Sequence, residues 1–125
     1  SGGEMSRFML SLKYLLSSKL QLPTIIFDEI DSGVSGEIAH KMGEVFKDMA
    51  ENIQIINITH LPQVAAKGNN HIKVFKTKQN DDVITQLKQL SNNERIEEIA
   101  KMLSGERITD ASIRNAKELL GIETQ

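Results

Sequence analysis

The sequence of 125 residues contains no cysteine and no tryptophan. The lack of cysteine excludes disulfide bonds and thiolate metal sites, and it is compatible with a reducing cytoplasm. No apolar run approaches the roughly 18 residues of a membrane span, so no membrane contact is expected. No charge of one sign dominates, because 15 Lys and Arg residues oppose 17 Asp and Glu residues for a net charge of -2. The composition therefore gives no reason to expect a polyanion to bind the whole surface.

Hydrophobic residues make up 39% of the sequence and charged residues 26%, which is typical of a folded domain with a packed core. No internal repeat or flexible linker divides the chain, so we expect residues 1–125 to form a single lobe. The chain opens on Ser1-Gly2-Gly3-Glu4 without an initiator Met. We therefore expect it to be a piece of a larger protein.

The first half of the chain alternates helix and strand patterns. Apolar residues spaced by three or four positions over 5–20 predict an amphipathic helix, with its apolar face formed by Met5, Met9, Leu12, Leu16 and Leu20. The β-branched runs at 24–27 and 53–58 predict parallel strands that are buried on both faces. A helix capped by Ser35 is expected between them, and a short helix is expected to begin at Pro62. This order is typical of an α/β layer.

The second half has a different pattern. Strand-like runs at 72–78 and 83–90 surround the polar segment 79–82 and predict a β-hairpin. Capping residues at Ser91 and Thr109 then predict two C-terminal helices. The fold class expected from residues alone is therefore α/β, followed by a hairpin and two helices.

Polar side chains follow both predicted parallel strands. Asp28 and Glu29 end the first strand in a Walker B pattern, and His60 follows the second. Because the carboxyl ends of neighbouring parallel strands meet at one edge of a sheet, we expect these groups to lie together. In such a site Asp28 would support Mg²⁺, and Glu29 would orient or deprotonate the attacking water. Each motif taken singly also fits a structural role: the acids can be solvated residues at the end of an ordinary strand, and the histidine can be a cap or a core residue with its hydrogen bonds satisfied.

A glycine-rich segment stands at the start of the first helix. The backbone N–H groups of Ser1-Gly2-Gly3-Glu4 are suited to binding an anion, although such segments are also common in linkers. With the Walker B strand, the loop Asp31-Ser32-Gly33 and His60, this segment resembles the second half of an ABC-type ATPase head. The amino-acid sequence further resembles the C-terminal part of the RecN family of bacterial DNA repair proteins. The segments that carry this resemblance are 1–7, 27–36, 59–66, 98–105 and 116–120.

The resemblance implies a fold and a chemistry. Members of the family are SMC-like ATPases, so the implied fold is the C-terminal lobe of an ABC/SMC-type P-loop ATPase head, and the implied cofactors are ATP and Mg²⁺. The residues implied are Asp28 for the metal, Glu29 and His60 for catalysis, and Ser1, Gly2, Gly3 and Asp31 for the nucleotide. The implied partners are the N-terminal half of the same head, a second head, and DNA bound by the full-length protein. Ser1, Gly2 and Gly3 would contact in trans the nucleotide that is bound to the second head. The implied role is in double-strand-break repair and recombination, in the cytoplasm at the nucleoid.

One motif of such heads is missing. No stretch of the 125 residues reads Gly-x-x-x-x-Gly-Lys-Ser/Thr, the phosphate-binding loop that family members carry upstream. We therefore expect the chain by itself to be inactive, and to hydrolyse ATP only with the N-terminal half and a second head.

Other interpretations remain open at this stage. One alternative is a part of another SMC or ABC head, and a second is a metal-dependent hydrolase with Asp28, Glu29, Asp31 and His60 as direct ligands. A third is an interaction module that uses the hairpin and the last two helices. A DNA-binding patch of lysines is weakly supported, because acidic residues interrupt it; its members are Lys67, Lys73, Lys76, Lys78 and Lys88. His40 and His71 are expected to be structural.

Overall fold

A computed structural model describes residues 2–19 and 21–123, which divide into two units between Lys67 and Gly68. The first unit contains α1 (Gly2–Leu16), β1 (Thr24–Asp28), α2 (Gly36–Met49), β2 (Gln54–Ile58) and α3 (Pro62–Ala65). The second unit contains β3 (Ile72–Gln79), β4 (Asp82–Gln89), α4 (Asn92–Ser104) and α5 (Asp110–Leu119). The order of elements confirms the predicted alternation, hairpin and C-terminal helices. The prediction of a single lobe stays a prediction.

The core of the first unit lies on one face of a two-stranded parallel sheet. β1 pairs with β2 from Thr24 opposite Gln54 to Asp28 opposite Ile58. The rings of Phe27 on β1 and Phe46 on α2 pack with their centroids 5.1 Å apart. The buried residues of this core are Leu10, Ile25, Phe27, Met42, Phe46, Met49, Ile53 and Val64. Burial of these apolar surfaces is the main source of stability in the unit.

The other face of this sheet is uncovered, contrary to the prediction that both strands are buried on both faces. Ile26 is 62% exposed, and Ile56 and Ile58 are 45% and 48% exposed. The apolar runs suggested buried strands, but within the described residues only one layer of helices packs on them. Exposed apolar surfaces of this kind are common at interaction sites of proteins.

The apolar face predicted for the first helix is also wrong. The residue of α1 that packs into the core is Leu10. Met5, Met9, Leu12 and Leu16 are all exposed, and Leu20 lies outside the described residues. α1 is apolar on more than one side, so its periodicity alone did not identify the side that faces α2.

The second unit combines the hairpin with two capped helices. β3 and β4 pair antiparallel from Ile72 opposite Gln89 to Gln79 opposite Asp82. The turn residues Asn80 and Asp81 have φ values of 50° and 67°, which suits the two-residue turns that match strand twist. Capping boxes at Ser91 and Thr109 begin α4 and α5, as predicted. The longest described helix has 15 residues, and none of the described helices combines the length and apolarity of a membrane crossing.

Candidate functional site

The carboxyl ends of β1 and β2 lie side by side, as the sequence predicts. The backbone N–H of Glu29 donates to the carbonyl oxygen of Ile58 at 2.9 Å, so the pairing extends one residue beyond β1. Residues that follow the two strands are thereby held at the same edge of the sheet. This edge carries each candidate catalytic residue.

Glu29 and His60 face each other at this edge. His60 Nδ1 lies 3.9 Å from Glu29 Oε1, and the side chains are 60% and 56% exposed. The distance exceeds that of a direct hydrogen bond, so the gap and the open surface leave both groups accessible to a ligand or water. The structure therefore brings together the two residues predicted to be catalytic.

Asp28 occupies the last position of β1 and is exposed. Because side chains alternate along a strand, it shares the uncovered face of the sheet with Ile26. Its carboxylate is thus available to a partner or ion on that side.

Asp31 is fully buried. Its Oδ2 accepts a hydrogen bond from the Thr59 hydroxyl, and its Oδ1 has no hydrogen-bond partner among the described residues. The hydroxyl oxygen of Thr59 in turn accepts the backbone N–H of Leu61 at 3.0 Å. The carboxylate points into the protein, and the predicted roles of Asp31 in nucleotide binding and in linking two sites stay predictions.

The glycine-rich segment begins α1 at Gly2, and Ser1 lies outside the described residues. A side chain added at Gly3 would place its Cβ 3.0 Å from Arg7 Nη1 and 3.8 Å from the carbonyl oxygen of Ser32. Gly3 therefore lies beside the loop that follows β1 in the same chain. Its predicted contact with a nucleotide on another head stays a prediction.

The four candidate ligands of the metal-hydrolase interpretation do not converge. Asp28, Glu29, Asp31 and His60 all lie in the described part of the chain, and no group of three or more His, Cys, Asp or Glu residues there is arranged to hold a metal ion. Asp31 is directed inward to Thr59, away from the exposed pair. The geometry thus counts against direct metal ligation by these four residues.

His40 and His71 occupy structural positions. His40 Nε2 lies 3.8 Å from Glu44 Oε1, one turn further along α2. Burial lowers the pKa of His71, and the charge of Arg95 lowers it further.

Carboxylates pair with several lysines of the proposed basic patch. Lys67 pairs with Glu44, Lys88 with Glu94, and Lys73 Nζ lies 2.6 Å from Glu98 Oε2. A lysine that is paired with a carboxylate has less charge to offer a phosphate backbone. The pairs weaken the case for a DNA contact at these lysines.

Thr59 is the residue that sequence reasoning underestimated. In the sequence it lies within the segment 59–66 without a predicted role of its own, but its side chain joins the loops that follow the two strands. A threonine hydroxyl that accepts a hydrogen bond from the backbone N–H two residues later forms a common local motif. The possibility of this motif could have drawn attention to Thr59 in the sequence.

The sequence of the chain is similar to those of known proteins. No family model matches the chain. Proteins named DNA repair protein RecN match 96% of it, with 53% identity for Rickettsia conorii, 43% for Bacillus subtilis and 40% for Vibrio cholerae. The chain spans only about a fifth of these relatives, 21% to 22% of their length, and the match is to a C-terminal part. The predicted resemblance to the RecN family is confirmed.

Solved structures confirm the predicted fold. A Smc head domain with coiled coil and joint from Pyrococcus yayanosii matches with a TM-score of 0.67 at 20% identity, over 86% of this chain and 19% of that one. An SmcHead bound to the C-winged helix domain of ScpA matches with a TM-score of 0.62 at 22% identity, over 78% of this chain and 28% of that one. The chain has the fold of the C-terminal lobe of an SMC-type head.

Proposed function

We propose that this chain, which matches a C-terminal part of RecN proteins, is the C-terminal lobe of the ATPase head of a RecN-like DNA repair protein. The observation that carries the proposal is the pairing of Glu29 with His60 across the ends of two parallel strands. An acid and an imidazole at one open edge are suited to act on a water molecule and on the phosphate that it attacks.

Glu29 acts on the attacking water in this proposal. Its carboxylate is more than half exposed, so a water molecule can reach it and be oriented or deprotonated. His60 donates a hydrogen bond to a γ-phosphate oxygen or to the same water. The separation of 3.9 Å between the two groups supports a shared substrate over a closed internal pair.

Asp28 is the proposed residue for magnesium. Its exposed carboxylate is a hard oxygen ligand, and Mg²⁺ in proteins is often held by one or two carboxylates together with water and phosphate. When bound, the ion would neutralise charge on the phosphates. With one carboxylate to offer, this lobe would need ligands from the nucleotide and the rest of the head.

The N-terminal half of the same head is the proposed partner of the uncovered sheet face. Ile26, Ile56 and Ile58 form an exposed apolar surface, and the relatives are more than four times as long as this chain. The sequence also lacks the phosphate-binding loop. We therefore propose that the missing half supplies that loop and covers the sheet, and that the 125 residues alone do not hydrolyse ATP.

A second head completes the site in this proposal. Ser1, Gly2 and Gly3 would contact the nucleotide of the other head in trans, and the loop Asp31-Ser32-Gly33 would connect the two sites. The position of Gly3 beside Ser32 supports a link between the two segments. ATP would then favour the closed dimer, and its hydrolysis would release it, during the repair of DNA double-strand breaks by recombination in the bacterial cytoplasm.

A chimera tests the proposal. This chain would replace the matching C-terminal part of the Rickettsia conorii RecN protein, to which it is 53% identical. We expect the chimera to hydrolyse ATP in the presence of magnesium, and we expect no hydrolysis by the 125 residues alone. Glu29→Gln in the chimera should lower the hydrolysis rate by at least about 100-fold while ATP binding remains. Glu37→Gln, an exposed position on α2, is the matched control.

Two results would contradict the proposal. Hydrolysis by the Glu29→Gln chimera at the parent rate would remove Glu29 from the reaction. A folded chimera without ATPase activity would refute the assignment of the lobe.

A further inference from the structure

The hydroxyl of Thr59 joins two loops at the functional edge. It donates to Oδ2 of Asp31 and accepts the backbone N–H of Leu61 at 3.0 Å. A hydroxyl has a single hydrogen to donate, and a carboxylate only accepts, so the direction of both bonds is determined. We call this arrangement of Asp31, Thr59 and the Leu61 amide the clasp.

The clasp is costly as a stabilising element. Asp31 is fully buried, and within the described residues its Oδ1 has no hydrogen-bond partner. A buried carboxylate with so few bonds pays a desolvation cost that an apolar side chain of similar size would avoid. Stability alone therefore does not account for an aspartate here, and a role in local geometry does.

The position of the clasp shows which geometry it controls. Asp31 follows Glu29 by two residues, and Thr59 directly precedes His60. The sheet holds the strands together as far as the bond from the Glu29 amide to the Ile58 carbonyl. Beyond that bond, the clasp is a further cross-link between the loops that carry the two exposed side chains.

We propose that Thr59, oriented by Asp31, is a positioning residue that holds His60 against Glu29. Both side chains of that pair are more than half exposed, so packing does little to restrain them. The hydroxyl of Thr59 restrains the backbone on both sides of His60, because it bonds across to Asp31 and ahead to Leu61. The catalytic meaning of this restraint depends on the proposed function, but the restraint itself is measurable without nucleotide.

Amide hydrogen exchange on the 125-residue chain tests the clasp. The Leu61 amide reports the clasp, and the Glu29 amide, bonded to Ile58, reports the sheet. We expect Thr59→Val to accelerate exchange at Leu61 by about tenfold or more and to leave Glu29 within about twofold. Thr59→Ser keeps the hydroxyl and should match the parent chain. Thr85→Val, in β4 of the other unit, is the matched control.

The link to His60 is tested by a second measurement. In the parent chain, Glu29→Gln should shift the ¹⁵N resonances of the His60 imidazole, and Thr59→Ser should preserve this response. In Thr59→Val we expect the response to fall by about half or more, because the two side chains are no longer held together. If Thr59→Val loses protection at the Glu29 amide, Asp31→Leu, which removes the acceptor carboxylate and keeps a similar size, replaces it with the same expected loss.

Two results would overturn the proposal. One is a shift of the His60 ¹⁵N resonances on Glu29→Gln that is as large in Thr59→Val as in the parent, and the other is an unchanged exchange rate at the Leu61 amide in Thr59→Val. Neither measurement uses ATP. An inactive chimera would thus contradict the proposed function alone, whereas an unchanged response would contradict the positioning role alone.

Discussion

The backbone N–H of Glu29 donates to the carbonyl oxygen of Ile58 at 2.9 Å, although Glu29 has already left the extended conformation. Its φ is 50°, in the left-handed region that residues with a side chain rarely occupy. The chain therefore turns away from the sheet at the residue that carries the candidate catalytic carboxylate. Backbone strain of this kind is common at functional sites, where the surrounding structure maintains it.

Replacing Glu29 with glycine should stabilise the protein. Glycine adopts a positive φ at little cost, so we expect Glu29→Gly to raise the free energy of unfolding by about 1 kcal/mol. Glu29→Ala removes the carboxylate but keeps the strained backbone, and it should not raise the stability. Urea denaturation of the three chains checks this. Equal stability of the glycine and alanine variants would show that the turn is not strained.

Gly43 is required by the close approach of α2 to the segment around α3. A Cβ built on Gly43 would lie 2.8 Å from the carbonyl oxygen of Gln63 and 2.9 Å from Lys67 Cγ. In an open helix, alanine is more stable than glycine by about 1 kcal/mol, but this contact forces the backbone apart. We therefore expect Gly43→Ala to destabilise the chain by about 1–3 kcal/mol in urea denaturation.

The control for this prediction is Asp48→Ala, at an exposed position of the same helix. It should change the stability by less than about 0.5 kcal/mol. A Gly43→Ala chain as stable as the parent would mean that α3 moves away without cost.

Local signals predicted the second unit well. The Ser91 box with Glu94 begins α4 and Thr109 begins α5, because each cap satisfies backbone N–H groups within the same few residues. The polar segment 79–82 correctly indicated a tight hairpin turn. The strand ends that bring Glu29 and His60 together were also predictable, since parallel pairing sets where such residues lie.

Features that depend on distant contacts were not predictable. The apolar runs of β1 and β2 indicate burial on both faces, but the pattern cannot tell which segment covers Ile26. α1 carries apolar residues on several sides, so the choice of Leu10 as the core residue is made by α2 and the sheet. Asp31 looks like a surface acid in the sequence, but it is buried, and its carboxylate bonds to Thr59, which is 28 residues away.

Glu94 should make the start of α4 sensitive to acid. The Lys88 side chain and the bonds to Ser91 lower the pKa of Glu94 to about 2. Because this pKa is below that of an unfolded chain, about 4.3, the stabilising effect is present at neutral pH and is lost as the pH falls from about 4 through 2. We expect Glu94→Gln to lower the melting temperature at pH 7 and to differ little from the parent at pH 2.

Exposed acids elsewhere provide the control for Glu94. Glu37→Gln removes a carboxylate that pairs with Lys41 at 3.0 Å in a highly exposed position of α2. It should leave the melting temperature nearly unchanged at both pH values. A Glu94→Gln chain that melts with the parent at pH 7 would show that the Lys88 and Ser91 contacts do not stabilise the unit.

His71 should make stability fall on mild acidification. Burial lowers its pKa, Arg95 and Lys73 lower it further, and Glu98 acts in the opposite direction. His71 therefore binds a proton more readily in the unfolded chain, where its pKa is about 6.5, than in the folded chain. The free energy of unfolding should decrease as the pH falls below about 6.5, by at most about 1.4 kcal/mol per pH unit. His71→Gln should flatten this dependence between pH 7.5 and 5 in urea denaturation, whereas His40→Gln, at a half-exposed position, should retain it. The same slope in the parent and in His71→Gln would assign the pH dependence to another group.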